Sequence, residues 1–317
     1  MRGAFFSVRY TGFHAFKALG VSSRSLAREL AKWRWRLARM RRASAASLPP
    51  APYVTFPRLG IAGRFGNQLF QVAATLGLAR RMGSGFVLPP WRYARCFAGA
   101  LPTVTGRIPV ELEFRETTSR YREIPLPRGS VALRGGFQSE RYFAHCAADV
   151  RAYLSWPAEL VAQLNRHSPA AFAADSCSVH VRRTDYLRNP HYTDLCSGSY
   201  YEEAFAGLPA GTRFFVFSDD LAWCRARFGS GRFEFVEGLD EVGAMALMSA
   251  CRAHVIANSS FSWWGAWLDP RADKRVGAPA RWFAGEFADA SVPFDPGPPT
   301  RGYHDPSDLL PADWLAL

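Results

Sequence analysis

The chain lacks the cysteine spacing and the long apolar runs that define several common protein classes. Its six cysteines are scattered and form no Cys-x-x-Cys pair, which argues against a zinc site and a dense disulfide framework. No apolar run reaches the roughly 18 residues of a membrane-spanning helix, and the N-terminus has no apolar core of signal-peptide length. The sequence therefore predicts a chain with reduced thiols that stays in the cytoplasm.

Acidic residues are almost missing from the first 50 positions. This segment holds eleven lysines and arginines against the single acid Glu29, so it carries +10 of the chain's net charge of +12. The remaining 267 residues carry only +2. A nearly neutral body without a recognition motif does not favour nucleic acid as a partner.

The basic segment is predicted to contain a helix over residues 25–42. Its apolar positions recur every three or four residues along one stripe: Leu26, Leu30, Trp33, Leu37 and Met40. A basic amphipathic helix with a tryptophan is typical of peripheral binding to anionic membrane, here at the inner face. Packing on the body of the protein and pairing as a coiled coil are the alternatives. A linker rich in proline and alanine ends this arm at residue 52.

The rest of the chain alternates strands with helices, which indicates parallel sheets. We expect one Rossmann-like domain over residues 53–172 and a second over residues 173–317. In the first, strands are predicted at 53–56, 86–88 and 131–133 and helices at 67–82 and 144–154. In the second, strands are predicted at 178–181, 214–217, 233–236 and 254–257 and helices at 199–205, 221–228 and 241–251. Residues 97–130 have no clear periodicity.

Three of the predicted strands end in polar groups. One is followed by Arg182 and Arg183, the next stops at Asp219 and Asp220, and the third opens into amide and hydroxyl groups. Parallel α/β sheets bind ligands just beyond the carboxyl ends of their strands. Arginine suits phosphate, and hydroxyls at a helix start provide a second anion site. Adjacent carboxylates could accept the N–H groups of a guanine edge. The pattern predicts a pocket for a nucleotide diphosphate.

A glycine-rich turn at residues 60–66 precedes the first helix. Glycine lets the backbone approach a ligand closely, and the helix start behind it favours an anion. Arg64 and Asn67 lie at this turn, and both are candidate ligand contacts from the first domain.

These motifs together resemble the bacterial α-1,2-fucosyltransferases of glycosyltransferase family 11. The resemblance runs from about residue 57 to 283 and rests on residues 63–71, 178–186, 214–220 and 258–267. It implies two facing Rossmann-like domains of the GT-B type. The first two motifs are also similar to those of protein O-fucosyltransferases, and the histidine–arginine motif to that of α-1,6-fucosyltransferases.

The resemblance also implies roles for individual residues. His180 and one of Asp219 or Asp220 would recognise guanine, and Arg182 would hold the pyrophosphate. Ser262 would hydrogen-bond a phosphate near the end of its strand.

Other residues of these motifs have supporting roles in the same reading. Arg183 is expected to brace the site through Asp185. Ser260 is expected to contact the ligand in the same pocket. The alternative is that Ser260 stabilises its own loop. The three tryptophans that follow are expected in the core rather than on a sugar-binding surface: Trp263, Trp264 and Trp267.

Two features of catalysis are in question: whether the reaction needs a metal ion and which residue acts as the general base. The chain has no Asp-x-Asp motif and offers arginines instead, so we expect catalysis without a metal. Inversion at the anomeric carbon, which the family implies, needs a base near the acceptor hydroxyl. The loop at 186–195 has no glutamate, which leaves Asp185, His191 and Asp194 as candidates.

The predicted function is transfer of L-fucose from GDP-fucose to the 2-hydroxyl of a β-galactoside, in a glycan or a lipid-linked surface polysaccharide. A protein O-fucosyltransferase is the alternative within enzymes. A basic membrane- or RNA-associated binding protein is the alternative from another class.

Overall fold

The computed structural model describes residues 48–285 and 307–317. Strands and helices alternate along this part of the chain, and the strands form two parallel sheets. The predicted α/β class with parallel sheets is therefore confirmed. The predicted basic helix at 25–42 lies outside the described residues, and the exact domain boundaries stay a prediction.

The first sheet has four strands in the order β2-β1-β4-β3. Their bounds are β1 Tyr53–Thr55, β2 Gly85–Val87, β3 Leu112–Arg115 and β4 Val131–Arg134. Helix α1, Phe65–Arg81, connects β1 to β2 and is buried over most of its length. The chain passes from β1 to β2 at one edge of the sheet, crosses to β3 at the opposite edge and returns inward to β4.

The second sheet has six strands in the order β10-β9-β8-β5-β6-β7. Their bounds are β5 Ser176–Val181, β6 Arg213–Ser218, β7 Phe233–Phe235, β8 Ala253–Val255, β9 Arg275–Ala278 and β10 Leu315–Ala316. All six residues of β5 are buried, as expected for a central strand. The switch point of this sheet lies between β5 and β8.

Helices cover both sheets. They are α2 Ala147–Tyr153, α3 Ala158–His167, α4 Tyr200–Ala206, α5 Leu221–Phe228, α6 Glu241–Ala250 and α7 Ser260–Trp267. Asp240 caps α6 by accepting a hydrogen bond from the Gly243 N–H at 2.8 Å, which confirms the predicted start of that helix. In the described ranges, no helix has the length and apolar character needed to cross a membrane.

Most predicted elements agree with the structure to within three residues at each end, but four were not predicted. The missed elements are β3, α3, β9 and β10. Strand β3 lies at the edge of its sheet, and its Leu112 is 47% exposed. An edge strand with so little buried surface leaves no apolar alternation in the sequence to detect.

The two sheets are joined by direct packing of α1 against α7. Phe70 lies with its ring centroid 4.4 Å from that of Trp263 and 5.0 Å from that of Trp264. The tryptophans Trp263, Trp264 and Trp267 are at most 2% exposed and belong to a core cluster that includes residues of both sheets. The prediction that they are core residues is confirmed.

Gly66 sets the closest approach of the two helices. A Cβ atom built on it would lie 2.5 Å from the Ser260 carbonyl carbon and 2.6 Å from its oxygen. Both atoms are backbone, so neither can rotate away, and only hydrogen fits at this position.

We expect Gly66→Ala to separate α1 from α7 and to destabilise the protein by about 1–3 kcal/mol, the usual cost of overpacking. Thermal unfolding measures the change. Gly211→Ala is the matched control, since a Cβ there meets no atom within 4 Å. Equal melting temperatures for the two variants would contradict the steric argument.

Candidate functional site

The candidate site begins where β5 ends. Val181 is the last residue of the strand, so the chain leaves the ladder before Arg182. The Arg182 guanidinium lies between two carboxylates: its Nη2 is 2.5 Å from Asp185 Oδ1, and its Nη1 is 3.0 Å from Asp219 Oδ2. The Arg182 side chain is only 15% exposed. The structure thus brings three of the predicted site residues together at the carboxyl ends of β5 and β6, beside the switch point of the second sheet.

Arg183 lies beside this cluster but has different partners. Its Nη1 is 3.4 Å from Asp220 Oδ2, and its guanidinium stacks 4.8 Å from the centre of the Trp223 ring. The expected brace between Arg183 and Asp185 is therefore wrong. Arg182 and Asp185 are three residues apart, and the turn that follows the strand brings these two side chains together instead.

The carboxylates of Asp219 and Asp220 make different contacts. Asp219 accepts hydrogen bonds from the Arg183 N–H at 2.9 Å and from Thr184 Oγ1 at 2.5 Å. Burial raises the pKa of the Asp219 carboxyl, but these bonds and the Arg182 charge outweigh burial and leave that pKa below its usual value. Asp220 accepts from the Trp223 N–H at 3.1 Å and so caps α5. Both carboxylates therefore already have protein partners.

His180 and Ser262 form a buried pair beneath the arginines. His180 Nδ1 lies 2.9 Å from Ser262 Oγ, and both residues are at most 6% exposed. Burial lowers the pKa of His180 to about 3, and the nearby Arg182 charge acts in the same direction. The imidazole is neutral at physiological pH. In this arrangement the Ser262 hydroxyl holds His180 in place, whereas a phosphate contact was expected of it.

The first sheet contributes residues from the start of α1. Arg64 Nη2 lies 2.8 Å from Asp185 Oδ2, and Asn67 Oδ1 accepts a hydrogen bond from Ser260 Oγ. Asp185 thus bridges an arginine from each sheet. The loop after β1 and the loop after β5 meet at this carboxylate, so the carboxyl edges of both sheets border the site.

The remaining candidates lie in the loop after β5. The His191 N–H donates to Asn189 Oδ1 at 3.1 Å, and Asp194 Oδ1 accepts from the Cys196 N–H at 2.9 Å. These bonds shape the loop itself. Among the candidate bases, Asp185 makes a direct contact with Arg182.

Sequence reasoning missed an aromatic support for this loop. The Tyr186 and Tyr192 rings stack with centroids 4.0 Å apart and an interplanar angle of 7°. The Tyr186 hydroxyl donates to the Asn258 carbonyl at 3.0 Å, and Arg182 lies 5.6 Å from the Tyr186 ring centre. Tyr186 stands in the motif that carries Arg182, so its position was visible in the sequence, but its partner was not.

The described side chains do not form a cluster of metal ligands. No group of three or more histidine, cysteine, aspartate or glutamate residues there is arranged to hold a metal ion. The charged groups of the site are the arginines and their carboxylates. The fold and this cluster define an α/β protein with a group of paired arginines and carboxylates at the carboxyl edge of its second sheet, where ligands of such sheets usually bind.

Comparison with known proteins identifies the family. The profile of glycosyl transferase family 11 matches residues 124–292, which is more than half of the 317-residue chain. The chain belongs to this family.

Relatives at higher identity are bacterial. An alpha-1,2-colitosyltransferase of Escherichia coli is 36% identical over 182 residues, covering 54% of this chain and 61% of that protein. The O-antigen biosynthesis glycosyltransferase WbnK of Escherichia coli is 38% identical over 122 residues, covering 35% of this chain and 40% of that protein. The matched regions therefore span less than two thirds of the length of either relative.

More distant similarities extend further along the chain. The galactoside 2-alpha-L-fucosyltransferase SEC1 of Bos taurus is 26% identical over 266 residues, covering 70% of this chain and 71% of that protein. Among solved structures, the fucosyltransferase NodZ from Bradyrhizobium gives a TM-score of 0.44 at 13% identity, over 69% of this chain and 93% of that one.

The neutral state of His180 is testable by NMR. With the pKa lowered to about 3, we expect the His180 imidazole signals to stay constant from pH 8 to pH 5. In the unfolded protein the same ring should titrate near the ordinary value of about 6.5. Because the unfolded state then binds the extra proton, His180 makes the protein less stable as pH falls through this window.

A His180→Gln variant identifies the signals by their loss. A His180 resonance that titrates near pH 6.5 in the folded protein would contradict the buried, neutral assignment.

Proposed function

We propose that this protein is an inverting glycosyltransferase that moves L-fucose from GDP-fucose to the 2-hydroxyl of a β-galactoside. Membership of glycosyl transferase family 11 supports transfer of a sugar. The names of the relatives support an α-1,2 linkage and, for SEC1, a galactoside acceptor. Family membership also favours this reaction over protein O-fucosylation and over a binding protein without enzymatic activity.

The proposal rests on how the Arg182 guanidinium is buried and paired. Its Nη2 and the facing Asp185 Oδ1 are both buried, and neither makes a well-oriented hydrogen bond in the described structure. The 2.5 Å contact between them is therefore a poorly directed ion pair. Two oxygens of a diphosphate would offer this guanidinium the planar, bidentate hydrogen-bond geometry that it prefers.

The chemistry is a single displacement. The acceptor oxygen forms a bond to the anomeric carbon of the donor while the bond from that carbon to the β-phosphate oxygen breaks. GDP leaves with the bonding electrons, and the acceptor proton passes to a base. Arg182 would stabilise the negative charge that develops on the leaving phosphate, and Arg64 would approach it from the other sheet.

Exchange of ion-pair partners would free the base. Asp185 is held between Arg64 and Arg182 by contacts of 2.8 and 2.5 Å. When phosphate oxygens take over these guanidinium groups, the carboxylate is left beside the reacting centre. Asp185 is therefore our candidate base, ahead of His191 and Asp194.

Two further features belong to the proposal. We propose that turnover needs no metal, with arginine charge replacing it. We also propose that the basic segment before residue 50 holds the enzyme at the inner face of the membrane, where lipid-linked acceptors lie. The segment's excess positive charge supports that location.

Colitose is a second candidate donor sugar, because a relative that is 36% identical is an alpha-1,2-colitosyltransferase. The assay should therefore offer nucleotide-activated colitose beside GDP-fucose.

The test of the proposal is GDP release and product linkage in the presence of EDTA, with a panel of β-galactosides as acceptors. We expect fucose on the galactose 2-hydroxyl. Arg182→Ala should lower kcat/KM at least about 100-fold, the scale of removing one transition-state charge contact. Transfer that stops in EDTA and returns with magnesium would disprove metal independence, and absence of transfer from either donor would disprove the function.

The role of Asp185 is tested by Asp185→Asn, which keeps the side-chain shape but removes the base. We expect kcat to fall about 100-fold or more, while the KM for GDP-fucose does not rise, because the neutral amide no longer competes for Arg182. Asp149→Asn is the matched control, because Asp149 also pairs with an arginine, Arg80 at 2.5 Å, on the exposed end of α1. If Asp185→Asn keeps full turnover and Asp194→Asn loses it, the base is Asp194.

A further inference from the structure

A cavity of about 460 Å³ lies directly after β3, away from the arginine cluster. Its lining comes from the end of β3, the loop behind it and the segment after β4: Phe114, Arg115, Glu116, Thr117, Thr118, Arg122, Glu123, Pro125 and Tyr142. It continues into a second cavity of about 600 Å³ that shares Thr117, Thr118 and Arg122. The volume is in the range of ligand pockets.

Glu116 is the unusual group in this cavity. The residue is 5% exposed, and its carboxylate accepts hydrogen bonds from the Gly136 N–H at 2.6 Å and the Phe137 N–H at 3.0 Å. Among the described residues, no lysine, arginine or histidine lies within ion-pair distance of it. An ionised carboxylate can accept about four hydrogen bonds, so part of its capacity remains for a donor in the cavity. Burial raises the pKa of Glu116 to about 7, which fits a carboxyl group without a fixed counter-charge.

The other polar groups indicate which ligand would fit. Arg115 and Arg122 carry the charge of opposite sign at the rim, and Arg122 Nη1 donates a long hydrogen bond to Thr117 Oγ1 at 3.4 Å. A cationic ligand would be repelled by these guanidinium groups, and an anion would be repelled by Glu116. A sugar hydroxyl both donates and accepts, so it suits a carboxylate and guanidinium groups together. The Phe114 and Tyr142 rings add apolar surface for a sugar face.

The position of the cavity relates it to the reaction. Glu116 follows β3, and Arg64 lies in the loop that follows β1, so both are at the carboxyl edge of the first sheet. Only β4 separates these strands, which places them about 10 Å apart at the usual strand spacing. Arg64 in turn contacts Asp185 at the donor site. A glycan whose terminal sugar is at Arg64 and Asp185 could extend along this edge.

We infer that the cavity at Glu116 binds the sugar unit next to the terminal galactose of the acceptor glycan. This inference rests on the proposed galactoside acceptor and deepens it. It makes the enzyme selective for oligosaccharides over single galactosides.

The test compares β-1,3- and β-1,4-linked galactosyl disaccharides with methyl β-galactoside. Thr117→Trp fills the cavity from an exposed position and should raise the disaccharide KM about tenfold or more, the loss of roughly one charged hydrogen bond. The KM values for methyl β-galactoside and GDP-fucose should not change. Glu116→Gln should also raise the disaccharide KM. Since Glu116 also holds the Gly136 loop, Thr117→Trp decides the matter if Glu116→Gln unfolds.

Arg107→Ala is the control, because Arg107 is exposed and outside the cavity lining. An unchanged disaccharide KM in Thr117→Trp would overturn the inference. If the wild type transfers no fucose at all, the proposed function fails, and calorimetry with the same disaccharides then tests the cavity directly. Disaccharide binding to the wild type that is lost in Thr117→Trp supports the subsite, whereas equal binding to both or no binding to either overturns it.

Discussion

The close contact of α1 with α7 is the constraint on which the site depends. Gly66 brings the backbone of one helix against the first turn of the other, and the aromatic core around Phe70 and Trp263 fixes that approach. This packing carries Arg64 from the first sheet to Asp185 at the end of β5. A side chain at Gly66 would move the two halves of the site apart, although it touches neither arginine.

Because the halves share one core cluster, their relative movement is limited. A hinge opening between the sheets would expose buried tryptophans to water, at a cost of about 25 cal/mol for each Å² of apolar surface. The loop at 182–196 is held by the Tyr186–Tyr192 stack, by hydrogen bonds and by the buried side chain of Leu195.

Much of the fold could be predicted from the sequence because its central strands are short runs, rich in β-branched or aromatic residues, that end abruptly in charged groups. The run before Asp219 and the buried strand before Arg182 give both the parallel sheet and the location of the site. The edge strand β3 could not be predicted, because a strand with little buried surface has no apolar pattern. The ion-pair partners of the arginines could not be predicted from the sequence either. Arg183 selects Asp220 rather than Asp185 because of the turn geometry after β5, and side-chain spacing alone does not fix that geometry.

The carboxylates around Arg182 also have a consequence for selectivity among anions. Asp185 follows Arg182 by three residues, and Asp219 follows the neighbouring strand β6. The fold holds both carboxylates against the guanidinium, so each competes for it at a high effective concentration. A small ion such as chloride or inorganic phosphate has to displace a tethered rival and gains few other contacts in return. A ligand that also binds elsewhere on the sheet edge can overcome this competition. In the proposed function, this competition would favour a large, multiply anchored anion over the simple anions of the cell.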